Sequence, residues 1–101
     1  MTHVTVVRYR THPERAEDNV RLLGDVFAEL AEHNPEGLRY AAFRLEDEVS
    51  FVHVAALDGD DNPLMGLATF REFLSGIQDR CTDPPAPANA TVIGSYRLPT
   101  G

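Results

Sequence analysis

The sequence predicts an α+β protein built on one antiparallel sheet, and three observations carry that reading. Stretches rich in Val, Thr and Tyr alternate with stretches whose apolar residues recur every three or four positions, in the order β-α-β-β-α-β. The polar run Glu46-Asp47-Glu48 separates two strand-like stretches and reads as a hairpin turn. The third strand-like stretch is apolar on both faces and therefore needs cover on both.

The first strand runs from Thr2 to Arg10. Thr11-His12-Pro13-Glu14 then opens a helix. Thr11 and Glu14 have the spacing of a capping box, and Pro13 falls in the first turn, where a missing N–H costs nothing. Ala16, Val20, Leu23, Phe27 and Leu30 form the apolar stripe of that helix, and His33-Asn34-Pro35-Glu36-Gly37 ends it. Leu38 to Leu45 is the second strand and Val49 to Leu57 the third. On the third, Val49, Phe51, His53, Ala55 and Leu57 share one face and Ser50, Val52, Val54 and Ala56 the other. Asp58 to Pro63 is a loop. Leu64 to Cys81 reads as helical in one or two pieces, with Thr69 to Glu72 as a second capping box and Phe70, Phe73, Leu74 and Ile77 as the apolar face. Asp83-Pro84-Pro85-Ala86-Pro87 reads as a stiff connector, Thr91 to Leu98 as the last strand and Pro99-Thr100-Gly101 as a tail.

Length and composition narrow the function classes. A chain of 101 residues has room for one domain, 1–101. All nine basic residues are arginines and the net charge is -7. An acidic chain without a basic cluster is poorly suited to nucleic acid or an anionic membrane. Without lysine there is neither a Schiff-base amine nor a P-loop. The single cysteine, Cys81, precludes an internal disulfide. No apolar run approaches the ~20 residues that span a bilayer, and the strand pattern starts at once, so the expected location is cytoplasmic.

The element order is that of the ferredoxin-like split βαβ arrangement, with both helices on one sheet face. The open face is apolar, so a face-to-face homodimer is its simplest cover. With its opening strand Val4-Thr5-Val6-Val7-Arg8-Tyr9, the helix after it, Tyr40-Ala41-Ala42-Phe43-Arg44, Phe51-Val52-His53-Val54-Ala55 and Phe70-Arg71-Glu72-Phe73-Leu74, the chain resembles the antibiotic biosynthesis monooxygenase-like domains of the dimeric α/β-barrel superfamily over nearly its whole length. The resemblance implies a homodimer whose sheets pack into a barrel, with a small cavity between the sheet and helices of each subunit. It also implies oxidation of an aromatic or polyketide-type substrate with no metal or flavin cofactor, the electron-rich substrate itself reacting with oxygen. The chain departs from the family pattern in having no tryptophan and in ending its second helix Ile77-Gln78-Asp79-Arg80-Cys81, without a histidine.

Among single residues, His53 stands out as a titratable ring amid apolar strand neighbours. It is either the catalytic acid or base of a pocket or a satisfied core or dimer-interface histidine. Tyr40 and Tyr96, with Tyr9, are the candidates for orienting an aromatic ligand. Arg39 and Arg44 occupy opposite faces of the second strand, and whichever points inward needs a carboxylate. The four histidines are scattered and lack metal-ligand spacing. Two functions follow: a cofactor-independent monooxygenase-like enzyme for a small aromatic or polyketide-type substrate, or a non-catalytic homodimer of the same fold that binds a small ligand or serves a structural role.

Overall fold

In the computed structural model, which describes residues 3–96, the opening Val- and Thr-rich stretch forms β1 (His3–Thr11). Its expected first residue, Thr2, lies outside the described residues. A one-turn 3₁₀ segment, Pro13–Arg15, leads into α1 (Ala16–His33). Then come β2 (Leu38–Arg44), β3 (Ser50–Leu57), a second 3₁₀ turn (Pro63–Gly66), α2 (Ala68–Ser75), α3 (Ile77–Arg80) and β4 (Cys81–Ala90). The four strands form one antiparallel sheet in the order β2-β3-β1-β4. No helix among the described residues is long and apolar enough to cross a membrane.

The sheet has two unlike faces, set by strand parity. Tyr9, Phe51 and His53 point to the helix side, where they meet Leu23 and Val26 of α1 and Leu64, Leu67, Phe73 and Ile77 of the second helical layer. The opposite parity carries Val4, Val6, Ala41, Phe43, Val52, Val54 and Ala56, brought abreast by the register Val6↔Val54↔Ala41. Among the described residues nothing covers that face, and Phe43 is 45% exposed there.

Two local devices set the turns. Asp47 accepts bonds from the backbone N–H groups of Val49 and Ser50 and from the Ser50 hydroxyl, closing the β2–β3 hairpin. Those bonds, from Ser50 first, hold its carboxyl down at about 2. Asn34 ends α1 in the left-handed conformation, its N–H donating to the Leu30 carbonyl.

Several sequence expectations need correction. Neither capping box forms. Thr11 belongs to β1 and donates to the Val49 carbonyl, while Thr69 donates through its backbone N–H and its hydroxyl to Glu29 of α1. A carboxylate from the neighbouring helix thus does what Glu72 was expected to do. The α1 stripe is rotated: Ala16, Asn19, Leu23 and Val26 are buried and Val20 is exposed.

The largest correction concerns the last strand, which is Cys81–Ala90 and not Thr91 to Leu98. The proline-rich stretch pairs with β1 because β4 lies at the sheet edge, where an absent N–H is tolerated. Pro84 and Pro85 fall where the register shifts between Arg8↔Ala86 and Arg10↔Asp83, a bulge that relieves them of ladder bonds. Ala90 is already opposite Val4, so residues 91–96 continue past the end of β1 and belong to none of the described strands. Arg97, Leu98 and the tail lie outside the described residues.

The Glu29–Thr69 bond joins the two helical layers. Glu29→Ala and Thr69→Ala are each expected to lower the thermal unfolding midpoint, and the double variant to lower it by less than their sum, a non-additivity measurable by calorimetry.

Candidate functional site

Burying a histidine on β3 creates a problem that two neighbouring side chains solve. His53 is 6% exposed. Its Nε2 lies 2.8 Å from the Tyr9 hydroxyl and its Nδ1 2.7 Å from the Tyr40 hydroxyl, so both ring nitrogens are bonded. The strands place these groups: the direct partners of His53 are Val7 on β1 and Ala42 on β2, and Tyr9 and Tyr40 each lie two residues along, diagonally across from it. Burial pushes the imidazole down to about 4, so it is neutral at pH 7, and burial holds both phenols above their ordinary range.

The chain of bonds continues away from the sheet. Asn19 of α1 is wholly buried, and its amide nitrogen donates to the Tyr9 hydroxyl at 2.7 Å. Its amide oxygen accepts from the Arg80 Nε at 3.2 Å. Arg80, at the end of α3, is 2% exposed; its Nη2 donates to the Phe73 carbonyl at 2.7 Å and its guanidinium stacks over the Phe73 ring at 4.9 Å. Gly76 makes room for it, since a Cβ there would stand 3.0 Å from Nη1.

Aromatic rings enclose this polar chain. Tyr9 stacks on Phe51 at 5.4 Å, Tyr40 stacks on Phe27 at 5.1 Å, and Phe70 and Phe73 close against Tyr40 and His53. At the Tyr40 end lies a cavity of about 140 Å³ lined by Thr5, Val7, Tyr40, His53, Ala55, Leu57, Asn62, Leu64 and Phe70. A cavity of that order accommodates one aromatic ring. A second cleft, about 230 Å³, lies by the β1–β4 bulge among Arg8, Arg10, Ser50 and Asp83. Tyr9 also lines it, but His53, Tyr40 and Phe70 do not.

No family model matches the sequence, and no curated protein matches it. Solved structures do match. The Mycobacterium tuberculosis protein Rv0793 superimposes with a TM-score of 0.75 at 14% identity, covering 94% of this chain and 98% of its own. A Nitrosomonas europaea protein named for the antibiotic biosynthesis monooxygenases gives a TM-score of 0.74 at 16% identity, with 99% and 94% covered. SnoaB, a cofactor-independent oxygenase from Streptomyces nogalater, gives 0.69 at 18% identity, with 97% of both chains covered. The chain has the antibiotic biosynthesis monooxygenase-like fold. At these identities the monooxygenase-like fold is what the proteins share.

Within this monooxygenase-like fold the sequence-predicted residues fare differently. His53 and Tyr40 meet at the cavity. Tyr96 does not join them: it lies past β4 and is 80% exposed, because the strand expected to carry it inward does not form. Arg44 points to the helix side and pairs with Glu17 at 3.0 Å, the carboxylate partner an inward arginine needs. Cys81 is buried, and burial raises its thiol pKa, leaving it protonated. Asn19 and Arg80 escaped the sequence reading. The one signal for Asn19 was its place between Ala16 and Leu23 on the buried stripe.

The neutral imidazole links stability to pH. A free histidine titrates near 6.5 and the folded one near 4, so between these values the unfolded chain binds a proton that the folded chain refuses. Stability is full above about pH 6.5 and falls as the pH drops toward 4, by on the order of 3 kcal/mol. Urea unfolding at pH 7 and pH 4.5 should show the wild type losing more stability than a His53→Gln variant over that interval.

Proposed function

We propose that the protein is a cofactor-independent oxygenase-like enzyme for a small aromatic or polyketide-type substrate, working as a homodimer in the cytoplasm. The observation that carries this reading is the Tyr9–His53–Tyr40 chain ending at an aromatic-walled cavity of ring size. Phe70 and Leu64 supply apolar contact for a ring, and Tyr40 supplies a hydroxyl for an oxygen on it. The overall change is that a ring methylene and dioxygen give a ring carbonyl and water. The chain would contribute by holding the ring and hydrogen-bonding the oxygen on which negative charge develops as the methylene loses its proton. The named activity of SnoaB, whose fold the chain shares, supports the same reading.

A second reading is a homodimer that binds such a ligand without turning it over. It is favoured by the low proton affinity of His53, which leaves the His53–Tyr40 end of the cavity without a group titrating near neutrality. Oxygen uptake with anthrone-like and quinol substrates separates the two. Turnover above the buffer rate, reduced roughly a hundredfold by Tyr40→Phe and lost in His53→Ala, is the expected result. Ligand-dependent thermal stabilisation without oxygen uptake would favour binding alone.

The uncovered sheet face, whose centre is Val6, Val54 and Ala41, supports the homodimer reading. Native mass spectrometry should show a dimer for the wild type and a monomer for Val54→Glu, which places a charge at the middle of that face.

A further inference from the structure

The polar chain behind the cavity has a direction, and residues that do not line the cavity set it. Arginine has only donors. Its Nε at 3.2 Å therefore fixes the Asn19 amide with oxygen toward Arg80 and nitrogen toward Tyr9. The reverse orientation would face N–H against N–H in a site closed to water. Tyr9, accepting from Asn19, has one proton left to give, and its remaining partner is His53 Nε2 at 2.8 Å. Were Nε2 to carry a proton instead, the Tyr9 hydroxyl proton would be buried without an acceptor. Nε2 thus accepts, the proton of the neutral ring sits on Nδ1, and Nδ1–H donates to the Tyr40 oxygen at 2.7 Å. The Tyr40 O–H is then left to the cavity that this ring lines.

We infer that Arg80 and Asn19 are positioning residues that set the His53 tautomer and turn Tyr40 into a hydrogen-bond donor, so that the cavity selects ring ligands bearing an acceptor oxygen, such as aromatic ketones. The ligand class rests on the cavity assignment made above, whereas the tautomer does not. In the proposed reaction, a donor at a ketone oxygen would stabilise the enolate that forms when the neighbouring ring carbon loses its proton to solvent.

The test reads the tautomer directly. In protein labelled with ¹⁵N in the histidine rings, His53 at pH 7 should show a protonated Nδ1 and an unprotonated Nε2. Asn19→Asp replaces the amide with an acceptor that takes both the Arg80 and the Tyr9 protons. Tyr9 must then accept from His53, and the proton should move to Nε2. A wild-type ring protonated on Nε2, or an unchanged tautomer in a folded Asn19→Asp variant, overturns the inference; the wild-type spectrum decides alone if the variant does not fold. For the ligand class, acetophenone should bind about fivefold tighter than ethylbenzene, with the difference lost in Tyr40→Phe. Equal affinities, or no binding of either, overturn that preference. A Nδ1–H ring in a protein without oxygen uptake upholds the wiring and sinks the oxygenase reading, so the two failures are distinguishable.

Discussion

A guanidinium removed from water must give its N–H groups to acceptors or to an aromatic face, and much of this molecule is arranged around that demand. Arg80 ends α3 and is met by the Phe73 carbonyl, the Phe73 ring and the Asn19 amide. Its own carbonyl accepts the His12 N–H, tying the end of α3 to the chain leaving β1. Gly76 leaves the space the guanidinium fills. No carboxylate makes a salt bridge to Arg80 among the described residues, so its charge is balanced by dipoles and a ring face. That choice matters for the histidine. A carboxylate in place of Asn19 would compete for the Tyr9 proton, whereas an amide passes one direction of hydrogen bonding through to His53.

The same residues link stability with the site. The rings that enclose His53 are core rings: Phe51 and Phe73 are among the most buried side chains in the chain. The imidazole is kept neutral by the desolvation that makes those rings cohesive. Hydrogen bonds on both nitrogens make a buried histidine tolerable, and they leave only the Tyr40 end of the chain at the cavity.

The element order is legible in the sequence because the first three strands and α1 follow local patterning. Helix and strand periods change cleanly at Thr11, at Asn34 to Gly37 and at Glu46 to Glu48. β4 is illegible for a physical reason. Strand propensity favours Thr91-Val92-Ile93 over Asp83-Pro84-Pro85, but pairing is decided by what β1 has left to offer, and Val4 is already used by Ala90. His53 and Tyr40 are readable as polar groups on apolar strands. Asn19 and Arg80 are not, because a polar residue on a helix reads as solvated until a long-range partner is known, and these two partners stand 61 positions apart in sequence. The capping boxes fail similarly: Thr69 has Glu72 at the right spacing, yet Glu29 of another helix reaches it.

The prolines of β4 bear on how the molecule meets others of its kind. A sheet edge with regular N–H and C=O groups is a template on which a passing strand can crystallise into a growing ribbon. Pro84, Pro85 and Pro87 bring no N–H to β4, so this edge strand has three fewer donors to share between its two sides, and the bulge twists it out of line. Lateral growth on the β4 side is thereby disfavoured, while among the described residues the broad apolar face stays uncovered. An assembly built through the apolar face rather than through that edge would be finite rather than fibrous.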